Sequence, residues 1–134
     1  MFRASSSIED AIDEIATWAD SLPGDFAVDV TEHDDLTIID VAGALVSSGL
    51  RLQATLLVDA QVSVAEYRFD LRHPDGRLLW RQDRHPGHER APGMRGPEHV
   101  HLVEKAGEVR EPADPVELSS LREQLVQANL DHAR

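Results

Sequence analysis

At 134 residues and 41% apolar content, the chain is long enough to bury one real core and too short for two, so a single domain spanning residues 1–134 is expected. The lack of cysteine excludes disulfides, thiol nucleophiles and cysteine-ligated zinc, and no apolar run approaches the roughly 20 residues needed to span a bilayer. The formal charge of −12, set by 25 acidic residues against twelve arginines and the single Lys105, favours solubility and makes bare duplex nucleic acid a poor partner for most of the surface.

The opening MFRASSSIED has no apolar core of the signal-peptide kind, and a cytoplasmic location is the expectation. A helix is predicted over residues 6–21. Ile8, Ala11, Ile12, Ile15, Ala16 and Ala19 recur at helical spacing with Trp18 beside them, and Ser7 with Asp10 three residues on forms a capping box. Leu22-Pro23-Gly24-Asp25 ends it. Extended runs follow over Phe26–Val30, Leu36–Ala44 and Leu50–Val58, with Ser47-Ser48-Gly49 as a short connection. Leu36–Ala44 also admits a helix.

The longest predicted strand, Val62–Arg72, leads through His73-Pro74-Asp75-Gly76 into Arg77–Asp83, and Pro-Asp-Gly between two alternating runs is a strong hairpin signal. With those four residues as the loop, Tyr67, Phe69 and Leu71 share an apolar face with Leu78, Trp80 and Gln82. Phe69 then pairs with Trp80, while Leu79 joins Arg68, Asp70, Arg81 and Asp83 on the charged face. Arg84–Pro97, with its prolines and glycines, reads as a long loop. Alternation resumes over Glu98–Val103, Lys105-Ala106-Gly107 reads as a turn, and Glu108–Arg110 as a brief last strand. A second helix is predicted over 115–131, with Asp114 as N-cap, Pro115 at the first position, Glu117 completing a capping box, and a stripe of Val116, Leu118, Leu121, Leu125 and Ala128. The fold class is thus α+β: an antiparallel sheet of about five to six strands within 26–110, with both helices on one face.

Chemistry concentrates in Tyr67–His101. This stretch holds five of the seven histidines, and its seven arginines against five carboxylates give a local +2, leaving −14 for the remaining residues. A basic, histidine-rich segment in an acidic chain suits an anionic ligand, although arginines on a solvated hairpin serve solubility equally well. His99 and His101 lie two apart on a predicted strand, so they point the same way about 7 Å apart. Folding of the loop is expected to gather Arg81, Asp83, His85, His88, His99 and His101. Imidazoles that titrate near neutral pH, with arginines to hold phosphate, are the equipment of a metal-independent ribonuclease. The same histidines with Asp83 also meet the requirements of a zinc, nickel or iron site.

The run YRFDLRHPDGRLLWRQDRHPGH, followed by GPEHVH, resembles the TumE family of toxin–antitoxin proteins, whose members carry a strand, a DADG-type turn and a strand ending in R-x-D-N-x-P-H-H, then P-H-H-x-H. Asp75 and Gly76 match the turn, Arg81 and Asp83 the R-x-D pair, Pro86 and His88 the first proline–histidine run, and Pro97, His99 and His101 the second. The chain departs from the pattern at Arg84, Gly87 and Glu98, where the family has Asn, His and His; His85 is the residue that would substitute for one of them. The resemblance implies the toxic half of a two-gene module neutralised by a helix-turn-helix antitoxin. The preferred expectation is an RNA-cleaving enzyme that needs no cofactor. Arg81 and His88 would handle phosphate, His99 or His101 would act as general acid or base, and Asp83 would orient a histidine. The alternative, from another class, is a non-enzymatic module in which the same cluster holds a transition metal or contacts a partner.

Overall fold

A computed structural model describes residues 7–85, 96–104 and 107–134. The predicted helix start at Ser6, most of the Arg84–Pro97 loop with His88, and Lys105-Ala106 of the last turn lie outside the described residues. Helix α1 (Ile8–Asp20) begins at the expected capping box: the Ser7 hydroxyl accepts from Asp10 N–H and the Asp10 carboxylate accepts from Ser7 N–H. Seven strands follow rather than five to six: β1 (Gly24–His33), β2 (Leu36–Leu45), β3 (Arg51–Val58), β4 (Val64–Arg72), β5 (Leu78–Arg84), β6 (Glu98–Glu104) and β7 (Gly107–Pro112). Each pairs antiparallel with the next, in the order β1-β2-β3-β4-β5-β6-β7. Leu36–Ala44, which also admitted a helix, is strand.

Alternation assigns the two faces. Ile39 and Val41 of β2, Leu52, Ala54, Leu56 and Val58 of β3, and Tyr67, Phe69 and Leu71 of β4 form one apolar face, and both helices cover it. Trp18 meets the Phe69 ring edge-on at 5.9 Å, and Ile15, Leu118, Leu121 and Leu125 complete the core. The Trp18 indole N–H donates to the Leu118 carbonyl at 2.9 Å, joining α1 to helix α2 (Leu118–Asp131). At the other end of α2, the Asn129 side-chain oxygen accepts from the backbone N–H groups of Ser47 and Ser48, which clamps the helix to the β2–β3 turn.

Two local expectations are corrected. Helix α2 begins at Leu118 and not Pro115, with Glu117 at the N-cap position making no side-chain cap. Tertiary bonds hold the preceding residues extended: Val116 N–H donates to the Tyr67 hydroxyl, and the Gln82 amide donates to the Asp114 carbonyl. In the hairpin, Gly76 adopts φ +93° and His73 N–H donates to the Arg77 carbonyl, so the turn closes one residue tighter than expected. An irregularity between Leu71 and Arg72 then leaves Leu79 as an extra residue on β5, and the register beyond it is shifted by two. Phe69 therefore faces Gln82, and the half-buried Trp80 faces Leu71. A shift of two preserves face parity, so the charged residues stay together. Leu79, at the bulge, packs against the core instead of joining them.

Candidate functional site

The helix-free face of the sheet is built by two cross-strand rows. One runs Asp40, Thr55, Arg68, Asp83, His99, Pro112, and the next runs Ala42, Gln53, Asp70, Arg81, His101, Arg110. The β5–β6 register sets Asp83 directly opposite His99 and Arg81 directly opposite His101. Four of the five predicted site residues, Arg81, Asp83, His99 and His101, are thus brought together by strand pairing alone. The fifth, His88, is outside the described residues.

These groups are buried despite lying on the face without helices. His99 is 0% exposed, Asp83 4%, His101 5% and Asp70 6%. Burying charge is costly unless it is partnered, and the partners follow the rows. Asp70 receives Arg72 Nε at 2.7 Å and Arg81 Nη2 at 2.8 Å, which occupies Arg81 and keeps it off Asp83. Asp83 Oδ1 lies 2.5 Å from His99 Nε2, and Asp83 Oδ2 lies 3.8 Å from His101 Nε2 and 3.9 Å from Arg68 Nε. His101 Nδ1 contacts the Glu108 carboxylate on β7. Asp83 Oδ1 and His101 Nε2 are buried without a hydrogen-bond partner among the described residues. One ligand atom from each of Asp83, His99 and His101 falls within 4.8 Å of the others.

A cleft of about 200 Å³ opens beside Asp83, lined also by Thr55, Glu66, Tyr67, Arg68, Arg84 and His85. Arg84 Nη1 is held by Glu98 at 2.6 Å, so Glu98 serves as the arginine's counter-charge. Arg68 is more than half exposed, and its ion-pair contact among the described residues is the 3.9 Å approach to Asp83. The Tyr67 hydroxyl borders this region, and its pKa is pushed up to about 12, chiefly by burial, against the opposing pull of the bond from Val116 N–H. It stays neutral at any physiological pH.

Sequence reasoning missed Asp70 and Glu108 as members of the cluster. Strand parity carries a signal for Asp70, two residues from Arg68 and Arg72. Glu108 becomes legible only when β6 and β7 are put in register. No protein-family model, curated protein or solved structure matches this chain. Chemically, the alternation of Glu108, His101, Asp83 and His99 can relay a proton or hold a cation. The trio itself is buried, and Asp83 is its member that lines the cleft.

Proposed function

We propose that the chain is the toxic half of a two-gene module, that it acts on RNA, and that Asp83, His99 and His101 form the reaction centre. The observation that carries the reading is the convergence of three predicted site residues, Asp83, His99 and His101, into one buried polar cluster on the face the core does not use, with the half-buried Arg81 beside it. A core needs no such group: replacing buried ions with apolar residues is often neutral or stabilising. Buried ionisable clusters beside a cleft are therefore candidates for chemistry. Arg68, Arg84 and His85 in the cleft supply the cationic and hydrogen-bonding groups that a phosphodiester requires. The resemblance to the TumE family supplies the biological setting and the helix-turn-helix partner.

Expression of the chain in a bacterial host, alone and together with a helix-turn-helix protein encoded beside it, tests the reading. Growth arrest with loss of intact RNA, relieved by the partner and absent for His101→Gln, is expected. Normal growth and intact RNA at high expression of folded protein would overturn it.

A further inference from the structure

The cluster has features that hydrogen bonding among the described residues does not satisfy. Two of its polar atoms, Asp83 Oδ1 and His101 Nε2, are buried without a hydrogen-bond partner among the described residues, and both point among the same three side chains. A lone pair stripped of water and left unbonded is unfavourable, and native proteins rarely leave one so without a use for it. Glu108 gives the second indication. By engaging His101 Nδ1, it fixes the imidazole with Nδ1–H outward and the Nε2 lone pair inward, which is the arrangement by which carboxylates orient metal-bound histidines.

From these observations we propose that Asp83, His99 and His101 bind one divalent first-row transition metal ion, with Glu108 as the residue that positions His101. Two imidazoles and one carboxylate make a three-ligand set that suits zinc or iron(II) and is too rich in nitrogen for magnesium or calcium. The sheet supplies the geometry. His99 and His101 project from one face of β6 two residues apart, and Asp83 projects beside them from the paired position on β5. Metal–ligand bonds of about 2.0–2.2 Å place adjacent ligand atoms about 3.0–3.5 Å apart. Asp83 approaches His99 at 2.5 Å through Oδ1 and His101 at 3.8 Å through Oδ2, and one ligand atom from each of the three lies within 4.8 Å of the others, so side-chain rotation has to draw them to metal-bonding separations. The charge also fits. Asp70 takes up Arg81 and Arg72, and among the described residues the arginine that approaches Asp83 is Arg68, at 3.9 Å, so no close guanidinium there competes with a cation for the Asp83 carboxylate. Because Asp83 also borders the cleft, positions not taken by protein face the route by which a small ligand enters.

The proposal does not depend on the toxin reading, and its test is read without activity. The full chain, stripped with a chelator, is titrated with Zn²⁺ by calorimetry and with Co²⁺ by visible absorption, and circular dichroism follows the fold. One ion per chain is expected, with ligand-field bands from a protein-bound Co²⁺ and a thermal midpoint raised by Zn²⁺. Asp83→Asn should abolish binding. Glu108→Gln alters a partly exposed side chain and leaves all three ligands in place, so it should remain folded and bind about 10–100-fold more weakly, whatever becomes of Asp83→Asn. His33→Ala and His132→Ala, both at exposed positions, should bind as the parent does. No binding, binding retained in a folded Asp83→Asn, or unchanged affinity in Glu108→Gln would overturn the proposal. Metal binding without effects on growth or RNA would leave this site standing and remove the toxin reading.

Discussion

The two faces of the one sheet are buried by different physics. On the helix-covered face, Phe69, Leu56 and Ile39 are held by the removal of apolar surface from water, at about 25 cal/mol per Å², and by close packing. On the other face, Asp70, Asp83, His99 and His101 are nearly as inaccessible, yet their burial opposes folding unless each charge meets a partner. The apolar face tolerates exchange of shape for shape. The polar face is an interlocked network, in which removal of one member strands another.

Several substitutions separate the two kinds of burial. The largest effect is expected for Phe69→Ala on the apolar face, about 3–5 kcal/mol from lost transfer energy and the remaining cavity, read from the denaturant midpoint. His99→Ala should cost about 3 kcal/mol in the metal-free protein, because it leaves the Asp83 carboxylate buried beside an empty volume. Sequence alone places His99 on a strand face where its loss is expected to cost no more than about 1 kcal/mol, and complete burial revises that expectation. The combined Asp83→Ala, His99→Ala variant should be less destabilised than the sum of the two single variants, whereas Phe69→Ala should add to either. Simple additivity of Asp83 with His99 would dissolve the contrast between the faces.

A third test uses pH. Tyr67, the single tyrosine, has an ordinary pKa of 10.0 that is raised to about 12 by folding. The folded state holds its proton more tightly, so this stabilisation is complete below pH 10 and is lost as pH rises toward 12. The loss amounts to about 2–3 kcal/mol. Tyrosinate absorbance at the start of an alkaline titration should lag that of the unfolded chain, and coincidence of the two curves would contradict the burial. Smaller still, Ser7→Ala should cost about 1 kcal/mol through loss of the cap on α1.

Much of the apolar face is legible in the sequence because periodicity reports burial directly. Ile15, Trp18, Leu52, Leu56, Phe69 and Leu125 lie where alternation or helical spacing puts them. The register of the β4–β5 hairpin is less legible, because Leu79 as a bulge and Gly76 as a tighter turn both obey local rules that Pro-Asp-Gly does not distinguish. The start of α2 shows the same limit: Asp114, Pro115 and Glu117 carry a sound local capping signal, and the Tyr67–Val116 bond from 49 residues away overrides it. In the polar cluster, Asp83, His99 and His101 announce themselves by type and spacing. Their burial does not, because it depends on the pairing of β5 with β6 and β7, where partners distant in sequence such as Glu108 and Asp70 enter.

The most direct test of the polar face is X-ray absorption at the zinc edge on the full chain carrying one equivalent of Zn²⁺. Nitrogen and oxygen neighbours at about 2.0–2.2 Å with the outer-shell scattering of two imidazoles are expected. A shell with one imidazole or none, or an unaltered two-imidazole signal in the His99→Ala, His101→Ala variant, would contradict a metal centre at Asp83, His99 and His101.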